Sequence, residues 1–119
     1  MWNTYFGKRL KAFKFAAKGA FLLLRYEASV QVQTAIAIIM TVAGFYFSIS
    51  STEWLIQTLA IGMVISTEGL NTVAEKIADF IHPDFHKKIG FIKDIAAGAV
   101  FFAAVSAVII GCIIYIPKL

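Results

Sequence analysis

The chain has 119 residues, of which 60% are hydrophobic and only 15% charged, with a mean hydropathy of +0.79. A soluble domain carries about a quarter charged residues, and one this short cannot hide so much apolar surface, so composition points to an all-α integral membrane protein. Its lone cysteine, Cys112, excludes an internal disulfide framework, and its net charge of +4 reads as a marker of the cytoplasmic membrane face rather than of a nucleic-acid partner.

Residues from about 5 to 25 predict an amphipathic surface helix. Phe6, Leu10, Phe13, Ala17, Phe21 and Leu24 recur at steps of three and four, while Lys11, Lys14, Lys18 and Arg25 fall on another side. Such a helix lies in the membrane surface with its lysines toward anionic headgroups, or packs on the protein's own bundle. The early lysines also interrupt any secretory h-region. Three spanning helices follow, at about 30–49, 54–74 and 95–116, within a single membrane-embedded domain over 1–119. The charge-free runs Ala28–Thr52 and Ile95–Pro117 each exceed the ~20 residues that cross a bilayer core. Trp54 fits the aromatic belt, and Tyr115 and Lys118 stand at the exit of the third span. Residues 76–94 read as a polar loop, broken at His82 because Pro83 follows it.

Six Lys/Arg precede the first span and four more lie in residues 75–94, against none in the 50–53 connection and only Lys118 at the tail. The positive-inside rule therefore places the N-terminus and the 75–94 segment in the cytoplasm.

Glu68 is the costliest residue in this plan, because a carboxylate inside a spanning helix costs a few kcal/mol and usually faces the bundle interior for a functional reason. Glu75 lies two turns further on, about 10 Å along the same face, with Asn71 and Thr72 between them and Asp79 one turn beyond. Glu27 is a fourth acid on the same side of the membrane. A polar seam between helices accounts for Asn71 and Thr72. Several acids on one face also call for a cation, and paired carboxylates with substrate phosphates suit Mg²⁺. Lys93 supplies a charge for phosphoryl oxygens, and a carboxylate at the membrane surface can take a proton from a lipid hydroxyl. No P-loop is present, and Pro83 argues against a zinc site at His82 and His86.

The polar skeleton Glu68, Asn71, Thr72, Glu75, Asp79 resembles the signature of the small bacterial diacylglycerol kinase family, which includes the undecaprenol kinases. The likeness continues through Pro83-Asp84-Phe85-His86 and Lys93-Asp94, and upstream through Lys11, Phe15, Lys18-Gly19 and Glu27. It implies an ATP- and Mg²⁺-dependent lipid kinase of the bacterial cytoplasmic membrane, a homotrimer of three-span subunits each with a surface helix. By position, the resemblance makes Glu68 the general base and lipid contact, with Glu27 and Glu75 as metal ligands. It further assigns Lys8, Phe15, Glu27, Glu75, Asp84, Phe85, His86, Lys93 and Asp94 to ATP. Asn71, Thr72 and Asp79 then form the supporting polar face. Gln33 stands where some members carry an acid, and Phe15 where many carry tyrosine. Diacylglycerol is the expected acceptor, undecaprenol the alternative. A non-catalytic scaffold is a third reading, disfavoured because Glu68 and Lys93 are both retained.

Overall fold

The computed structural model describes residues 2–119 and consists of four α-helices: α1 (Trp2–Tyr26), α2 (Ala28–Tyr46), α3 (Ser51–Ile81) and α4 (Lys87–Tyr115), closed by a 3₁₀ turn at Ile116–Lys118. Two stretches, Ala28–Tyr46 and Lys87–Lys118, are long and apolar enough to cross a membrane. At 31 residues, α3 is about 46 Å long, but its polar groups set it apart from those two.

Each helix boundary has a local cause. Glu27 is the sole non-helical residue between α1 and α2, held in an extended conformation. The end of α2 is a Schellman motif in which Ser48 takes the left-handed position at φ 52°, while the Ile49 and Ser48 amides donate to the carbonyls of Gly44 and Phe45. Ser50 then opens α3 with a capping box: its hydroxyl accepts from the Glu53 amide, and the Glu53 carboxylate accepts from the Ser50 amide. The helix ends at Ile81, where the following His82-Pro83 pair forces extended backbone. His86 caps α4 through its Nδ1, which accepts from the Lys88 amide at 3.1 Å.

The polar segment expected as a loop over 76–94 is therefore mostly helix, with only residues 82–86 between the two long helices. Proline sets one limit, but lysines are good helix formers, and Lys87 to Asp94 simply extend α4 beyond its apolar part.

α3 and α4 pack along their lengths as an antiparallel pair, with α2 against α3. The end of the bundle near residue 50 is the best locked. Ile49, Ile114 and Tyr115 form its buried cluster, surrounded by Met40, Phe47 and Trp54. Trp54 lies so close to α2 that a Cβ on Gly44 would stand 2.6 Å from its ring, which is why this position has no side chain. Buried Gln57 donates to the Met40 carbonyl at 3.1 Å and accepts from the Tyr115 hydroxyl at 2.6 Å, tying three helices through one amide. Lys118 closes the end on Glu53 at 2.9 Å.

The opposite end is open. α1 sits against α2, and most of its apolar stripe faces outward: Phe13 is 74% exposed, with Phe6, Leu10 and Phe21 also exposed. Within one chain the bundle leaves the stripe uncovered. The radius of gyration is 17.8 Å, against about 13.5 Å for a compact chain of this length.

The hydrogen bond from Lys118, with that from the Ser50 amide, holds the Glu53 carboxyl below its ordinary range. The stabilisation it gives is present above the ordinary carboxylate pKa and is lost as pH falls through the lowered one. Thermal midpoints of the wild type and Glu53→Gln should therefore differ at neutral pH and converge on acidification through the carboxylate range.

Candidate functional site

The polar residues of α3 share one side of the helix near the open end of the bundle, buried at Glu68 and Thr72 and exposed at Glu75 and Asp79. Glu68 is buried at 8% exposure, and the Thr72 hydroxyl, also buried, donates to the Glu68 carbonyl at 3.1 Å. One turn below, the Asn71 side-chain amide donates to the Glu75 carboxylate at 3.2 Å. Its other atom, the Asn71 Oδ1, is buried without a hydrogen-bond partner. An unmade acceptor in such a place costs about 1–3 kcal/mol, so the position suits a donor or cation from outside the chain.

Glu27 reaches this region from the corner between α1 and α2. It is half-buried and lies 3.5 Å from the Lys76 ammonium. Because Lys76 follows Glu75, the corner sits at the level of that turn of α3. Lys76 counted in the sequence only as a positive-inside marker, and nothing in its spacing marked it as the partner of Glu27. α1 also approaches α3 about two turns away, at Glu68: a Cβ on Gly69 would stand 3.1 Å from Leu23 Cδ1. Gly69, next to Glu68, is the second position missed by sequence reasoning.

Across the 82–86 link, the Lys93 ammonium bonds to the Asp79 carboxylate at 2.6 Å, both side chains being partly exposed. Asp84, Phe85 and His86 are exposed on the link, and Phe85 and Asp94 together line a shallow depression with Lys87, Lys88, Gly90 and Phe91. The rings of His82 and His86 approach to 5.1 Å despite the helix break, while His82 Nδ1 meets the Asp84 carbonyl at 2.7 Å. Lys8 and Phe15 are exposed on α1. They lie about 28 Å and 18 Å along the helix from Glu27, apart from the group on α3 and α4.

Apart from Lys8 and Phe15, the expected residues fall into three neighbourhoods. Glu68, Asn71, Thr72 and Glu75 share a helix side, with Glu27 at its level. Asp79 and Lys93 join the two long helices. Asp84 to His86 and Asp94 surround the link. Among the described residues, no three of His, Cys, Asp or Glu converge into a metal-binding group. Glu75, Glu27 and the orphaned Asn71 oxygen nevertheless offer hard oxygen donors of the kind Mg²⁺ takes when phosphates complete its shell. In that sense the residues fit the ion.

A protein-family model described as prokaryotic diacylglycerol kinase matches residues 14–115. The chain is 39% identical over 109 residues to the undecaprenol kinase of Bacillus subtilis, covering 92% of this chain and 89% of that protein. It is 25% identical over 112 residues to the diacylglycerol kinase of Escherichia coli K12, covering 94% and 92% respectively. Identity to the diacylglycerol kinase of Synechocystis is 27% over 111 residues, covering 92% of this chain and 63% of that protein.

The close approach at Gly69 has a direct test. Gly69→Val should push Leu23 away and cost about 1–3 kcal/mol of stability, as overpacked contacts do. The thermal midpoint in detergent should fall, and trypsin should cut faster at Arg25 as α1 loosens.

Proposed function

The chain belongs to the prokaryotic diacylglycerol kinase family, and from that membership we propose that it moves the γ-phosphoryl group of ATP onto the hydroxyl of a membrane-embedded lipid. The observation that carries this reading is the burial of Glu68 within α3, with Asn71, Thr72 and Glu75 on the turns that follow. A carboxylate in that position is placed to meet a hydroxyl at the end of a lipid lying among apolar helices, while the polar turns beyond it meet a water-soluble nucleotide.

In this mechanism Glu68 takes the proton of the lipid hydroxyl as the oxygen attacks the γ-phosphorus. The bond from that phosphorus to the β,γ-bridging oxygen breaks, and ADP departs with the bridging oxygen. Lys93 offsets charge on the phosphoryl oxygens, and Asp94 with Asp84, Phe85 and His86 surrounds the nucleotide. Lys8 and Phe15 complete that contact only if α1 brings them toward it. Glu75 and Glu27 would hold Mg²⁺, which when bound supplies neutralisation of phosphate charge. Asn71, Thr72 and Asp79 support this face.

The assembly proposed is a homotrimer of three-span subunits in the bacterial cytoplasmic membrane, with α1 on the cytoplasmic surface. Supporting the membrane placement are the outward apolar stripe of α1, the length of α3 relative to a hydrocarbon core of about 30 Å, and the distribution of basic residues, while the trimer rests on the family resemblance. Further copies would also cover the open side of α3, which one subunit's three helices do not enclose.

Diacylglycerol is the first acceptor, in keeping with the family model. Undecaprenol is the second, and the 39% identity to the Bacillus subtilis undecaprenol kinase gives it specific support. Purified protein in mixed micelles, given ATP and each lipid side by side, should phosphorylate one strongly. Glu68→Gln should lower turnover about 10²- to 10⁴-fold with folding intact, the range for loss of a general base. Near-wild-type turnover in that variant would remove Glu68 from the mechanism, and failure on both lipids would favour another acceptor or the scaffold. Glu75→Gln should raise the Mg²⁺ concentration needed for half-maximal rate, and an unchanged titration would remove it as a ligand.

A further inference from the structure

We infer that Asp79 is a positioning residue for phosphoryl transfer, whose carboxylate holds the Lys93 ammonium against the polar side of α3. The inference rests on the reading of Lys93 as a phosphate contact. Asp79 lies eleven residues beyond Glu68, close to three full turns, and so shares its helix side. Lys93 reaches it from the second turn of α4, across the 82–86 link, with its nitrogen 2.6 Å from Asp79 Oδ1.

The pair is partly open to solvent, 37% exposed at Lys93 and 58% at Asp79, and exposed pairs of this kind add little to stability. Its consequence lies in where the ammonium is held. A lysine has a flexible four-carbon stem and three N–H donors. One donor on Asp79 fixes the stem and leaves two for an anion arriving at the Glu75 turn. Without Asp79 the same charge remains, but it wanders.

That distinction sets the kinetic signature. Losing a direct nucleotide ligand raises KM, whereas losing aim lowers kcat. Removing a negative charge near an anionic substrate, if anything, lowers KM. Asp79→Asn should therefore lower kcat about tenfold, with KM for ATP no higher than wild type, because small misplacement of a reacting group is costly. Asp79→Glu, which keeps the charge with a longer reach, should recover most of the loss.

An independent readout does not need turnover. Mass spectrometry after amine-reactive labelling in detergent should show Lys93 modified several-fold faster in Asp79→Asn than in wild type, with Lys87 and Lys88 unchanged as internal references. Equal Lys93 labelling in the two proteins would overturn the inference, as would a raised KM with unchanged kcat, or an equal loss in Asp79→Asn and Asp79→Glu. If wild-type protein phosphorylates no lipid, or Lys93→Ala retains full kcat and KM, the phosphate role of Lys93 fails instead. The labelling experiment still decides whether Asp79 holds it.

Discussion

The unbroken helix from Ser51 to Ile81 keeps Glu68, Asn71, Thr72, Glu75 and Asp79 in register. Residues three, four, seven and eleven positions apart share a side only while the helical repeat is uninterrupted. A kink at any point between Glu68 and Asp79 would turn part of the set toward lipid or solvent. The helix is secured where its ends are exposed. The Ser50 capping box and the Glu53–Lys118 pair fix its start, and His82-Pro83 terminates it beyond Ile81. Between those limits, Gln57 and Tyr115 prevent rotation of α3 against α2 and α4 at the locked end. Rigidity at that end is what allows the polar end to remain open.

The division between ends follows from what each must exclude. Around Gln57 the side-chain amide and the Tyr115 hydroxyl find their partners inside the bundle, as a water-poor setting favours. Around Asn71 one acceptor is left over, and around Glu27 and Asp79 the partners are lysines at the surface. The Glu27–Lys76 pair can open for an incoming phosphate or cation at little cost, since it is not deeply buried, while Lys93 keeps one donor on Asp79. A site that must admit a nucleotide from water and an alcohol from the bilayer needs such exchangeable contacts on one flank and a firm scaffold on the other.

Much of this was legible in the sequence because it depends on spacing along one helix. The break before Pro83, the shared side of Glu68 and Glu75, and the amphipathic start all follow from local periodicity or steric rules. The pairs Glu27–Lys76 and Asp79–Lys93 were not legible. They depend on how two separate helices rotate about their axes, and one chain's residue order does not encode that directly. The helical start of α4 was obscured for a different reason: Lys87, Lys88 and Lys93 advertise solvent, and solvent exposure says nothing against a helix. Ser48 in a left-handed position hid the Schellman turn, because glycine is its usual sequence mark.

The corner at Glu27 is a joint with a single residue of slack. A longer linker would let α1 drift independently of α2, whereas here each added or lost residue rotates everything upstream by about 100° relative to the bundle. On the proposed placement of α1 in the membrane surface and of Glu27 at the metal, the joint would couple insertion depth to chemistry. The surface that took the aromatic stripe of α1 would then also set the height at which the Glu27 carboxylate stands beside α3, and the thickness of the surrounding lipid would become an input to that geometry.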